Sequence, residues 1–143
     1  MSADQEGDPS DADIGELLTR IRTIAIVGVS ARPSRPSHGV AAYLAEHAPE
    51  YELWFVNPSE TEVLGRPCYA SLADLPVVPD LVDVFRRVEH LADVTDEAIA
   101  IGAGSLWFQL GLRDEVAAAR ARGAGLAVVQ DRCIEIEHAR HRG

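Results

Sequence analysis

The run IAIVGVSARPSRPSHGVAAYL, Ile24 to Leu44, constrains the fold more than any other part of the chain. Thr23 to Gly28 is continuous, apolar and of strand length, the pattern of a strand buried on both faces. A loop with Ser30, Arg32, Ser34, Arg35, Ser37 and His38 follows it. The spacing then predicts a helix from about Pro36 to His47. Pro36 suits a first turn, where its missing N–H costs nothing, and Val40, Tyr43 and Leu44 form the buried stripe. A buried strand that runs through a short loop into a helix is the opening of a βαβ unit.

The rest of the chain repeats that alternation. Strands are predicted at Tyr51 to Val56, Leu81 to Phe85, Leu106 to Phe108 and Leu126 to Val129. Helices are predicted from Leu91 to Gly102, from Asp114 to a stop at Gly123, and from Ile134 to Arg140. Ser59 to Pro67 reads as a polar loop, and Ser71 to Leu75 as one helical turn. Right-handed crossovers between such strands give a mainly parallel five-stranded sheet with helices on both faces and the first strand central. At 143 residues the chain suffices for one domain with a proper core.

Charge is unevenly distributed. The formal net charge is −10, yet Asp4, Glu6, Asp8, Asp11, Asp13 and Glu16 all precede the first arginine. Residues 1–12 are expected to be an acidic disordered tail, followed by a helix that Asp13 caps with Glu16 reaching back. From Thr19 to Ala45 there is no acid, whereas Arg20, Arg22, Arg32 and Arg35 are present. The overall acidity argues against nucleic-acid binding. No apolar run approaches membrane-spanning length and no secretory segment opens the chain, so a cytoplasmic protein with reduced thiols is expected. Cys68 and Cys133 form no metal-binding pattern.

Each predicted strand ends in residues that a merely structural loop does not require. They are Gly28-Val29-Ser30, Asn57-Pro58, Arg86-Arg87, Gln109-Leu110-Gly111 and Gln130-Asp131-Arg132. In a parallel sheet these ends share one edge, outside which ligands of open α/β sheets bind. The loop after the first strand meets a helix N-terminus, which attracts anions. Ser30, Ser34 and Ser37 can donate to phosphate oxygens there, and Arg32 or Arg35 can add charge. The alternative is that these serines cap the helix and the arginines are solvated. His38 suits a phosphate contact or acid–base work, and equally an exposed first turn.

A dinucleotide fingerprint is lacking. Only Gly28 of a G-x-G-x-x-G pattern is present, and Asn57 stands where an acid would grip a ribose. The two adjacent arginines diverge if the strand continues, and Arg86 is expected in the crevice with Arg87 paired to Glu89 or Asp83. Trp107 is expected in the core and Gln109 in the site. Cys133 precedes a helix, beside Arg132. A buried structural thiol, a redox thiol and a mixed disulfide with CoA are its three readings. His138 and His141 are taken as a solvated face of the last helix.

The motifs Gly28-Val29-Ser30, Arg35-Pro36-Ser37-His38, Val56-Asn57-Pro58, Asp83-Val84-Phe85-Arg86-Arg87, Trp107-Phe108-Gln109-Leu110-Gly111 and Asp131-Arg132-Cys133 together resemble the small stand-alone CoA-binding proteins. The resemblance runs from about Arg22 to His141 and extends to the CoA-binding domain of the succinyl-CoA synthetase α subunit. It implies a Rossmann-like, doubly wound domain over residues 13–143, with coenzyme A or an acyl-CoA as ligand. Gly28, Val29, Ser30, Arg35, Ser37 and His38 would surround the phosphates, and Asn57 and Pro58 would line the adenosine side. Phe85, Arg86 and Arg87 would border the crevice, and Gln109 and Gly111 would flank the pantetheine path. The synthetases carry a phosphohistidine on a further domain, so the resemblance implies a binding protein without ligase activity or other catalytic residues. A protein partner or a homodimer stays open. The competing readings are an NADP-binding or cysteine-based redox protein, and an interaction module with a vestigial nucleotide crevice.

Overall fold

The structure is a computed structural model that describes residues 7–142. The first six residues of the expected acidic tail lie outside the described residues. Helix α1 spans Asp11–Arg20 and starts three residues earlier than a cap at Asp13 predicts. The cap is Ser10, not Asp13: the Ser10 hydroxyl accepts the Asp13 N–H, and the Asp13 carboxylate accepts the Ser10 N–H. A reciprocal capping box needs an acid three residues after the cap, and Ser10 with Asp13 meets that spacing. Ser10→Ala should cost about 1 kcal/mol, read as a lowered melting temperature, with Ser10→Thr close to the parent.

Strands β1 (Thr23–Val27), β2 (Glu52–Val56), β3 (Glu62–Val63), β4 (Arg66–Tyr69), β5 (Leu81–Val84), β6 (Ser105–Phe108) and β7 (Ala127–Val129) form one sheet. Its order is β3-β4-β2-β1-β5-β6-β7, so it has seven strands where the sequence predicts five. The extra pair comes from the segment read as a polar loop. Leu64 and Gly65 both have positive φ, at 52° and 72°, and join β3 to β4 as a two-residue hairpin. Such turns match the twist of the strands they join. β4 then runs parallel to β2 through Phe55–Cys68 and Val56–Tyr69. Pro67 and the charged Glu62 and Arg66 hide these strands in the sequence, because Pro is tolerated only near a sheet's edge.

All the pairings among β1, β2, β4, β5, β6 and β7 are parallel, and only β3 with β4 is antiparallel. β1 is central, flanked by β2 and β5, so the connections leave it in opposite directions. α1, α2 (Pro36–His47) and α5 (Ile134–His141) cover one face, burying Ile14, Leu17, Val40, Leu44 and Ile134 against Ile24, Ile26, Phe55 and Trp107. α3 (Leu91–Ala100) and α4 (Glu115–Gly123) cover the other through Leu91, Val94, Ala98, Ala117 and Ala121. This is the doubly wound α/β arrangement.

Three local expectations are corrected. α4 runs through Gly123, and the left-handed residue beyond it is Gly125, at φ 96°. His138 is not solvated: it is 3% exposed, and its ring is bonded to the Tyr43 hydroxyl at 2.9 Å and to Glu50 at 2.8 Å. The reason is tertiary, since α5 packs against both α1 and α2 and turns that face inward. Arg87 pairs with neither acid proposed for it; Asp83 is fully buried on β5, and neither of its carboxylate oxygens has a hydrogen-bond partner. Burial pushes the Asp83 carboxyl well above the ordinary carboxylate range. No helix among the described residues is long and apolar enough to cross a membrane.

Candidate functional site

Parallel pairing brings the C-terminal ends of β1, β5 and β6 together, and a cleft of about 720 Å³ opens beside them. It is lined by Gly28, Ser30, Arg32, Arg35, Pro36, Ser37 and Val40 from β1's end through α2. Phe85, Arg86 and Arg87 follow β5; Gln109, Leu110 and Leu112 follow β6; Cys133 and Ile136 come from the start of α5. Ligands of open α/β sheets occupy this position, where the connections reverse.

Backbone geometry shapes the first loop. Gly28 has φ 85°, and a Cβ there would run into the Phe85 carbonyl oxygen. The Gly28 N–H stays in the sheet ladder on Val56 O at 2.8 Å, while Phe85 N–H bonds Val27 O at 2.8 Å. Only a residue without a side chain lets the chain leave β1 this close to β5.

The loop then folds on itself. Ser37 is buried, and its hydroxyl accepts the Ser30 N–H at 3.0 Å. The Ser30 hydroxyl accepts the Arg32 N–H at 3.0 Å. The Ala31 N–H is taken by the Glu60 carboxylate at 2.6 Å. So three donors of the loop, the N–H groups of Ser30, Ala31 and Arg32, already have partners within the protein. The helix end itself is open: Arg35 is the N-cap of α2 and makes no side-chain cap bond. The Ser37 N–H has no acceptor among the described residues. Glu60 has no sequence signal that reveals this contact.

The charged residues that line the cleft are all arginines, while Glu60 and Glu97 lie just outside it. Arg32, Arg35, Arg86 and Arg87 line it, and none forms a salt bridge among the described residues. Elsewhere Arg113, Arg120, Arg122, Arg132 and Arg140 pair with acids, while Arg20, Arg22, Arg66 and Arg142, which do not line the cleft, form no salt bridge among the described residues either. Both Arg86 and Arg87 reach the cleft because β5 ends at Val84, so strand alternation no longer applies to them.

Other residues singled out from the sequence fall elsewhere. Val29 is fully buried, and its carbonyl accepts the Asn57 side-chain N–H at 2.9 Å. Asn57 Oδ1 in turn accepts the Ser59 N–H at 2.9 Å. Asn57 therefore ties the loops after β1 and β2 together and spends its amide on the backbone. Pro58 is exposed and His38 half-buried, and neither lines the cleft. Ser34 is exposed outside it as well. Gly111, at φ 86°, donates to Asp131 Oδ1 at 2.6 Å and braces β6 against β7's end. Trp107 is in the core, its indole N–H on Arg132 O at 2.7 Å.

Gln109 is 4% exposed yet lines the cleft, and its Oε1 accepts the Ile134 N–H at 3.2 Å. Leu110, Leu112 and Ile136 were not anticipated. Leu110 and Ile136 are 67% and 51% exposed, and with Phe85 and Val40 they make one side of the cleft apolar. The signal was the apolar Leu110 and Leu112 after polar Gln109. No group of three metal-ligating side chains occurs among the described residues. A smaller groove of about 580 Å³, at the opposite edge of the sheet, is lined by Arg22, Glu50, Tyr51, His138, His141 and Arg142.

Comparison with known proteins bears on the fold and the family. The Bacillus subtilis (strain 168) protein YneT is 40% identical over 131 residues, covering 92% of this chain and 96% of that protein. A hypothetical protein from Pyrococcus horikoshii OT3 has a solved structure that superposes with a TM-score of 0.90 at 40% identity, covering 96% of each chain. A dinucleotide-forming acetyl-coenzyme A synthetase from Ca. Korarchaeum cryptofilum, in complex with phosphate and ADP, superposes with a TM-score of 0.66 at 21% identity. There the match covers 89% of this chain and 26% of that one and shows a shared fold. The model of the CoA binding domain matches residues 22–139, and the chain belongs to that family.

Proposed function

We propose that the protein binds coenzyme A or an acyl-CoA in the carboxyl-edge cleft and performs no ligation itself. The carrying observation is the convergence of four arginines, Arg32, Arg35, Arg86 and Arg87, on one cleft that no acidic residue lines, in a chain of net charge −10. Guanidinium groups left free in an acidic protein suit a polyanion, and CoA brings a diphosphate and a further phosphate. The free Ser37 N–H and the open end of α2 suit one of those phosphates. The apolar side at Phe85, Leu110, Leu112 and Ile136 suits the uncharged arm. Gly28, Ser30, Arg35, Ser37, Phe85, Arg86, Arg87 and Gln109 are the contact residues in this reading. Val29, Asn57 and Gly111 hold the loops in place, and His38 and Pro58 lie at the periphery.

Calorimetric titration with CoA, acetyl-CoA, NAD and NADP tests it. CoA or acetyl-CoA should bind, and Arg35→Ala and Arg86→Ala should each weaken binding about 10- to 100-fold, the loss of one charge-assisted contact. Heat with NADP alone, or CoA binding indifferent to both substitutions, overturns the reading.

A further inference from the structure

We propose that the far end of the cleft, walled by Leu110, Leu112 and Ile136, holds an aliphatic acyl chain, so that the preferred ligand is an acyl-CoA with a hydrocarbon tail rather than free CoA or a carboxylate-ended thioester. The inference rests on the reading of the cleft as a CoA site and names the class of thioester.

The order of the strands sets a gradient of polarity along the cleft. From β1 the neighbours are β5, β6 and β7. Arg32 and Arg35 follow β1, and Arg86 and Arg87 follow β5. Beyond them the lining that follows β6 and β7 is Gln109, Leu110, Leu112, Cys133 and Ile136, with no charged side chain. Three steps between adjacent strands separate the two ends, about 14 Å at the usual spacing. CoA loses polarity in the same direction: phosphates first, then an arm with amides, then the sulfur and whatever it carries.

Two observations meet at the apolar end. Gln109 Oε1 accepts the Ile134 N–H at 3.2 Å, which ties the end of β6 to the start of α5. Leu110 is the next residue on one side of that bond and Ile136 lies two residues along on the other, so both stand at the same end of the cleft. The second observation is exposure. α5 buries Ile134 fully in the core but leaves Ile136 51% exposed, and Leu110 is 67% exposed. A single exposed apolar residue means little, whereas large ones grouped in one cleft mark a surface that a ligand covers.

The chemistry of that wall selects its occupant. The arm passes Phe85, and its methylenes can share the wall, but its amides would lose water against Leu110, Leu112 and Ile136 without gaining a side-chain partner. The Gln109 Oε1 is already committed. A carboxylate would fare worse, since no cation lines this end. A hydrocarbon chain gains from the same contact.

The test is calorimetric titration of the full chain with CoA and with acetyl-, butyryl-, hexanoyl- and succinyl-CoA. Full burial of one methylene tightens binding roughly fourfold, and a chain lying against one wall should gain roughly twofold for each. Hexanoyl-CoA should therefore bind roughly 15-fold tighter than acetyl-CoA, with a more negative heat-capacity change. Succinyl-CoA should bind more weakly than butyryl-CoA, which has the same chain length and no charge. In the double variant Leu110→Ser, Ile136→Ser the hexanoyl-to-acetyl ratio should fall below about threefold. Taking the ratio cancels any loss on the shared arm, and the series on the parent decides the matter if the variant does not fold. Equal affinities for acetyl- and hexanoyl-CoA, a preference for succinyl-CoA over butyryl-CoA, or an unchanged ratio in the folded variant overturns the acyl site alone. So does dimerisation in sedimentation that the double variant abolishes and hexanoyl-CoA leaves intact, which assigns the wall to a second copy of the chain. No binding of CoA or of any thioester to the parent overturns the proposed function and this inference with it.

Discussion

Gly28→Ala is expected to destabilise the protein by roughly 3–5 kcal/mol, the sum of a left-handed backbone forced on an L side chain and an overpacked contact. For a chain of this size that lowers Tm by roughly 10–15 °C. The clash cannot be relieved cheaply, because the added Cβ meets a backbone oxygen, that of Phe85, rather than a flexible side-chain tip. Any relaxation moves Phe85, and Arg86 and Arg87 follow in the same segment, so CoA affinity should fall as well. Gly39→Ala is the control. Nothing lies within 4 Å of a Cβ at Gly39, and it sits inside α2, so alanine there should stabilise by up to about 1 kcal/mol. Thermal melting of both variants checks the pair, and an unchanged Tm for Gly28→Ala would refute the account of the loop.

The second large effect concerns Asp83. Its neighbours across the sheet are Ile26 and Trp107, and the carboxyl meets no donor. Because burial raises its pKa in the folded state, the fold holds a proton there that the unfolded chain releases once pH exceeds the usual carboxylate value, about 3.9. Stability from this residue is therefore greatest below that value and declines as pH rises toward the raised folded pKa. Asp83→Leu, nearly isosteric, should gain about 1–3 kcal/mol at pH 7 by removing the unmet polar group. The gain should shrink as pH is lowered toward 4. Urea unfolding of both proteins across pH 4–8 measures it, and a variant less stable than the parent at pH 7 would show that Asp83 has a partner in solution. The cost at this position is borne two residues before Phe85, which lines the cleft.

What could be read in advance depended on how locally each feature is encoded. β1 and α2 were legible because burial on both faces leaves a continuous apolar run, and Pro36 marks a helix start without tertiary help. The cleft arginines were legible because they sit directly after strands. The β3–β4 hairpin was not, since a two-residue strand has no periodicity and its turn puts Leu64 at positive φ. His138 was misread for a related reason: a short helix flanked by glutamates looks solvated until two other helices close on it. The apolar side of the cleft was missed because Leu110 and Ile136 belong to different elements and meet only in three dimensions. Asn57 was seen as a lining residue, whereas its amide serves the backbone of the neighbouring loop.

The two outermost strands of the sheet are very short, Glu62–Val63 at one margin and Ala127–Val129 at the other. A margin of that length presents too few unpaired peptide groups to template the addition of a foreign strand. Copies of this chain thus gain little by joining their sheets into one continuous ribbon, and contact between them is left to side chains on helices and loops.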